Sequence, residues 1–125
     1  MKQLLIFDEI NSWIVLPDDV KIKVDYCNVS QHYKLNSIIS SWLDEKDETK
    51  KSEYEYLMVY YTIKYQLKDW DGIGKDDDTK LELELVNNEV SDKIMNAIAT
   101  NPSLFWQIFN AINQATKFDN NDKKK

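Results

Sequence analysis

The stretch that decides the fold is SEYEYLMVYYTIKYQLK, running from Ser52 to Lys68. It opens on a capping box, Ser52-x-x-Glu55, which satisfies free amide groups at a helix start. Apolar or aromatic residues then occupy positions 54, 56, 57, 58, 59, 60, 61, 63, 65 and 67. Wound at 3.6 residues per turn, they cover nearly the whole circumference. One side carries Tyr54, Leu57, Met58, Tyr61 and Tyr65; another carries Tyr56, Val59, Tyr60, Ile63 and Leu67. A helix apolar all round belongs at the centre of a domain. Tyrosine qualifies that rule, because each hydroxyl wants a partner or water. The spacing predicts a helix over 53–68, sandwiched by other elements, with some tyrosines at the surface or at an interface.

Upstream, the charge run from Asp44 to Lys51 reads as a solvated loop. Before it, Leu35, Ile38, Ile39, Trp42 and Leu43 fall at helical spacing, so a second helix is expected over about 30–44, capped by Asn28 or Ser30. Val20-Lys-Ile-Lys-Val24-Asp-Tyr26 alternates strictly, the mark of a strand with one wet face. Pro17-Asp18-Asp19 supplies turn chemistry before it. A hairpin of 12–16 with 20–26 is expected within a β element over about 4–26. A two-stranded ribbon is marginal alone and must rest on the helices or on a partner's edge.

Downstream, Asp69-Trp70-Asp71-Gly72-Ile73-Gly74 ends the central helix, with the only two glycines of the chain. It reads as a turn anchored by Trp70. Leu81-Glu-Leu83-Glu-Leu85 alternates like a strand, though its residue types also suit a helix or an extended cover. Asn87 or Asn88 can cap a helix over about 89–100. Asn101-Pro102 then restarts the chain as an N-cap with Pro at the first helical position, opening a helix over 102–117. Its stripe is Leu104, Phe105, Ile108, Phe109, Ile112 and Ala115, with Trp106 off the stripe. Residues 119–125 carry no apolar side chain and are expected to be a disordered polar tail. The fold class is therefore mainly α (α+β): a single domain over 1–118, about four helices with a short N-terminal β-hairpin.

The chain has 125 residues and a formal net charge of -6, which bounds the functions open to it. Every basic residue is Lys, and Arg is the usual reader of phosphate and guanine. No nucleic-acid surface is expected. The apolar run Leu4–Phe7 is too short for a signal peptide, and no stretch is long enough to span a membrane. A cytoplasmic protein with no membrane contact is expected.

Catalytic chemistry finds little support. Cys27 and His32 are the only residues of their types, too few for a zinc site by themselves. A Cys–His nucleophilic pair has no spacing to recommend it, and Cys27 reads better as a small core residue. Asp69, Asp71 and Gly74 match three positions of a calcium loop, but its closing acid would be Lys80. Solvated turn acids account for them better. No catalytic residue, metal or cofactor is expected.

A binding role remains. Tyr and Trp are favoured at interfaces, and the chain has 7 Tyr and 4 Trp. Tyr56, Tyr60, Trp106 and Phe109 are the candidate partner-binding residues.

The order of elements, and the motif Trp70-x-Gly72-Ile73 after the central helix, resemble the tail assembly chaperones of long-tailed bacteriophages. In that family a W-x-G-I motif closes a long helix; an acidic turn, a short segment and one or two helices follow. Residues 87–115 resemble those closing helices. Asp69 stands where the family often has Gly, and Leu81–Leu85 lacks its frequent Leu-Pro pair. The resemblance implies a non-enzymatic chaperone that binds the tape measure protein, prevents its aggregation before the tail tube forms, and is absent from the mature virion. It also implies, as a partner, a frameshift-extended form of the chain; a homo-oligomer is expected because a second copy can cover an exposed aromatic patch. The alternative is a small structural tail component or an acidic inhibitor of a host protein.

Overall fold

The computed structural model describes residues 3, 10, 12–75 and 78–116. The run Leu4–Phe7 and the tail 119–125 lie outside the described residues. The expected hairpin forms from strands β1 (Ile14–Val15) and β2 (Lys21–Val24), antiparallel, with Ile14 opposite Ile22. Its turn holds Asp18 and Asp19 at φ of 62° and 61°, a region that Asp tolerates better than most residues.

Helix α1 (Val29–Asp44) starts on a reciprocal capping box. The Asn28 side chain accepts from the Gln31 amide, and the Gln31 side chain accepts from the Asn28 amide. Helix α2 (Glu48–Gln66) begins five residues before the predicted start at Glu53. Asp47 caps it by accepting from the Thr49 amide at 2.9 Å. Half of the charge run, 48–51, is thus the first turn of α2, Asp44 closes α1, and only Glu45–Asp47 is loop.

Strand β3 (Leu67–Asp71) follows α2 directly. The predicted helix to Lys68 and the anchored turn at Trp70 are corrected here. Residues 67–71 pair antiparallel with β2, giving the sheet order β1-β2-β3. The Leu67 amide still bonds back to the Ile63 carbonyl, and beyond it the chain is extended and paired with β2. A register shift at Lys23/Val24 breaks the alternation that would have marked β3 in the sequence.

Gly72 leaves β3 at φ 87°. A Cβ there would stand 2.6 Å from the Asp19 carbonyl oxygen. The sheet therefore needs glycine at this position, because the β1–β2 turn lies against it. Residues 81–84 are extended cover, with Leu81 and Leu83 packed on the core. A second hairpin joins β4 (Leu85–Val86) to β5 (Glu89–Val90). Asn87 and Asn88 form its turn at φ of 53° and 64°, the conformation a two-residue hairpin favours. They are not helix caps. Ser91 caps helix α3 (Asp92–Ala99), accepting from the Ile94 amide. Helix α4 (Pro102–Thr116) starts at the predicted Pro, with Asn101 accepting from the Leu104 amide at 3.1 Å.

Helix α2 is central, as its all-round apolar surface required: it packs against α1, α3, α4, β3 and β5. The main core joins β2, β3, β5, α3, α4 and the second half of α2. Ile22, Ile63, Leu67, Met95, Ile108 and Ile112 are among its fully buried side chains. Helix α1 contributes nothing to that core; Leu35 and Ile38 are buried elsewhere, and its extensive packing is with α2 alone. Among the described residues, no helix is long and apolar enough to cross a membrane.

Candidate functional site

The aromatic residues of α2 and α4 meet in one continuous series of rings. Tyr65 touches Tyr61 at a centroid distance of 5.5 Å, Tyr61 touches Tyr60 at 5.2 Å, and Tyr60 touches Tyr56 at 5.9 Å. Tyr56 then stacks on Phe105 of α4 at 5.6 Å and 30°. Trp106 stands edge-on to both Phe105 and Phe109. Offset and edge contacts of this kind add to simple area burial.

The four predicted partner-binding residues all belong to this series, but they differ in access. Tyr56 is 44% exposed and Trp106 is 40% exposed. Tyr60 is half-buried; its hydroxyl donates to Asp92 at 3.4 Å, a contact at the long end of the hydrogen-bond range. Burial first, and then the Asp92 charge, push the Tyr60 hydroxyl above its ordinary pKa. Phe109 is buried in the main core. Its ring meets that of Trp106 edge-on. Phe105, on the predicted stripe, is buried in the core and also carries the ring contacts from Tyr56 to Trp106. Its place beside Trp106 in the sequence was the available signal.

A shallow groove adjoins Tyr56, lined by Thr49, Ser52, Glu53 and Leu57. Beside Tyr60 the series is charged. Lys64 donates to the Val90 carbonyl at 2.8 Å and pairs with Asp92 at 3.0 Å. The Lys64 hydrogen bond, and then its charge, hold the Asp92 carboxyl below its ordinary pKa.

Trp70, Gly72 and Ile73 are structural. The Trp70 ring is buried, and its Nε1 donates to the Leu81 carbonyl at 2.7 Å. The Leu81 amide returns a bond to the Ile73 carbonyl at 2.9 Å. The motif thereby pins the 81–84 cover to the sheet. Asp69 and Asp71 stand on β3, not in a loop, and Asp71 pairs with Lys80 at 3.1 Å.

Cys27 and His32 line one cleft, between the start of α1, the end of α2 and the end of α4. Burial pushes the Cys27 thiol up to about 11, which keeps it protonated and a poor nucleophile near neutrality. Among the described residues, no three His, Cys, Asp or Glu side chains gather to hold a metal. No family model, curated protein or solved structure matches the chain.

Proposed function

We propose that this chain is a non-enzymatic holding protein, a tail assembly chaperone that binds a tape measure protein and keeps its apolar helices from aggregating. The observation that carries this reading is the ring series across α2 and α4, with Tyr56 and Trp106 exposed over buried aromatic neighbours. Large exposed rings set on a rigid buried base have the composition of an interface centre. An apolar helix laid on them would bury its own face by ordinary helix-on-helix contact. The Trp70-x-Gly72-Ile73 motif and the element order add the resemblance described above. Action in the host cytoplasm and absence from the mature virion follow from the same role.

The test is a tagged pull-down from cells making the parent phage, with bound proteins identified by mass. A very long, helix-rich phage protein is the expected capture. Trp106→Ala should cut its recovery while the melting temperature stays near that of the parent chain. Capture should also change little with salt, since apolar burial drives it. A mature tail subunit as the main capture would favour a structural tail component. A basic host protein, held with strong salt dependence, would favour an inhibitor. Either would overturn the chaperone reading.

A further inference from the structure

Two of the tryptophans are seated very differently. Trp70, in the sheet, donates its Nε1 proton to the Leu81 carbonyl at 2.7 Å. Trp42, on α1, has its Nε1 buried with no hydrogen-bond partner among the described residues. A donor placed in this way has given up water and gained nothing, which is rare in a protein interior. Lys51 of α2 lies over the Trp42 ring at 4.9 Å, so the mismatch falls where α1 meets α2.

Helix α1 is lightly held along the rest of its length. Leu35 and Ile38 are buried outside the main core, and no α1 residue beyond Ile38 is buried. Lys34, an exposed residue, reaches over the Tyr61 ring at 5.1 Å. At the start of the helix, the Gln31 Nε2 donates to Glu89 of β5 at 2.9 Å.

The two ends of this segment are fixed by groups outside α1. The Asp25 amide donates to the Gln66 carbonyl at 2.9 Å, and the Gln66 Nε2 donates to the Asp25 carbonyl at 3.2 Å. At the far end Asp47 caps α2, not α1. Residues 26–46 would reach roughly 70 Å if extended. The 19 residues of α2 span only about 28 Å. Helix α1 can therefore leave α2 and return between fixed points. Its departure breaks no hydrogen bond of the buried Thr62 and Gln66 beside it, which donate to the Met58 and Asp25 carbonyls.

The occupant of this seat is visible, because α1 fills it. What fits is an amphipathic helix with aliphatic side chains at the spacing of Leu35 and Ile38. The seat also adjoins the ring series, since Tyr61 meets Lys34 on one side and Tyr60 and Tyr65 on the other. A helix with the same aliphatic spacing and no stranded indole would keep the favourable contacts and shed the cost at Trp42.

We infer that α1 is a displaceable strap: it fills the seat on α2 that an amphipathic helix of a partner protein takes, and the partner binds by replacing it. This rests on the holding reading and specifies where the partner's helix sits. Apparent affinity then scales with the fraction of time the seat is free.

The test uses the full chain and a fluorescent peptide of residues 28–45, which supplies the α1 sequence in trans. A control peptide carries Leu35→Ala and Ile38→Ala. Binding is read by anisotropy for the parent chain, for Asn28→Ala, which loosens α1, and for Asn101→Ala, which removes the corresponding cap from α4. Circular dichroism checks that both variants are folded. The expected result is the inverse of ordinary damage to a site. Asn28→Ala should bind the peptide about fivefold more tightly than the parent, and Asn101→Ala should match the parent. The control peptide should bind at least tenfold more weakly. Equal binding by the parent and Asn28→Ala, or no binding by either, would overturn the strap and leave the holding reading to the pull-down above. Loss of peptide binding in Trp106→Ala would overturn it too, because the peptide would then sit on the exposed rings. A dimer in sedimentation that Asn28→Ala promotes would give the seat to α1 of a second copy and overturn the partner assignment.

Discussion

Helices α1 and α4 both pack against α2, and the two are of nearly equal length at 16 and 15 residues. They are held very differently. Helix α4 sends Phe105, Ile108, Phe109 and Ile112 into the main core, where they meet residues of several other elements. Helix α1 buries Leu35, Ile38 and Gln31, and its packing is concentrated on one neighbour. The same helical pattern in sequence thus serves two mechanical roles. One helix is part of the framework, and the other is an attached wall that can yield locally. Regions with fewer buried contacts open at lower free energy than the core.

Mutations should separate the two roles. Ile108→Ala removes a fully buried side chain from the framework and should cost about 3–5 kcal/mol in urea denaturation. Leu35→Ala deletes a similar volume from α1 but should cost nearer ~2 kcal/mol, since that site can close on one side. Equal costs would erase the distinction. Gly72→Ala strikes the framework through the backbone. It meets the Asp19 carbonyl at a positive φ, so a loss of about 2 kcal/mol or more is expected, seen as a lower thermal midpoint.

Smaller effects should be confined to one helix. Asn28→Ala breaks the α1 capping box and should cost about 1 kcal/mol. Hydrogen exchange should quicken along α1 and stay unchanged in α4. The mirror change, Asn101→Ala, should instead reach the global unfolding free energy, because α4 does not open alone.

The least disruptive probe is Cys27, two residues before α1. Its thiol ionises at about 11 in the fold against an ordinary 9.0. Iodoacetamide should therefore react about a hundredfold more slowly near neutral pH than with the unfolded chain. The sign for stability follows. The unfolded chain releases this proton near 9.0 while the folded chain keeps it. The contribution is present below pH 9 and is lost as pH rises toward 11. Opening of α1 in Asn28→Ala should speed the alkylation, whereas Ser103→Ala on α4 should not.

Much of this arrangement was legible in the sequence. The all-round apolar surface of 54–67 placed α2 at the centre, and the Asn101-Pro102 pair fixed the start of α4 to the residue. Strand β3 was hidden because Tyr65 and Leu67 prolong the helical pattern, and only pairing with β2 converts residues 67–71 to strand. Asn87 and Asn88 suit a cap or a turn equally well by type, and the strands on either side decide. Of the candidate site, the exposure of Tyr56 and Trp106 could be read from their positions. The burial of Phe109 could not be separated from that of its neighbours. The cleft left no signal at all, since it arises from how far apart α1 and α4 stand on α2.

One consequence follows from the insertion of α1 and α2 between two adjacent strands. Val24 pairs with Leu67, so the helical arm leaves the sheet and returns to it at one spot. Its far end is the three-residue loop Glu45–Asp47, and no residue of α2 before Val59 is buried. Adding one turn to each helix beside that loop would lengthen the arm by about 5 Å and leave the sheet register untouched. Reach and stability are therefore separately adjustable in this architecture: the arm can be resized to a longer or shorter partner while the framework that anchors it stays the same.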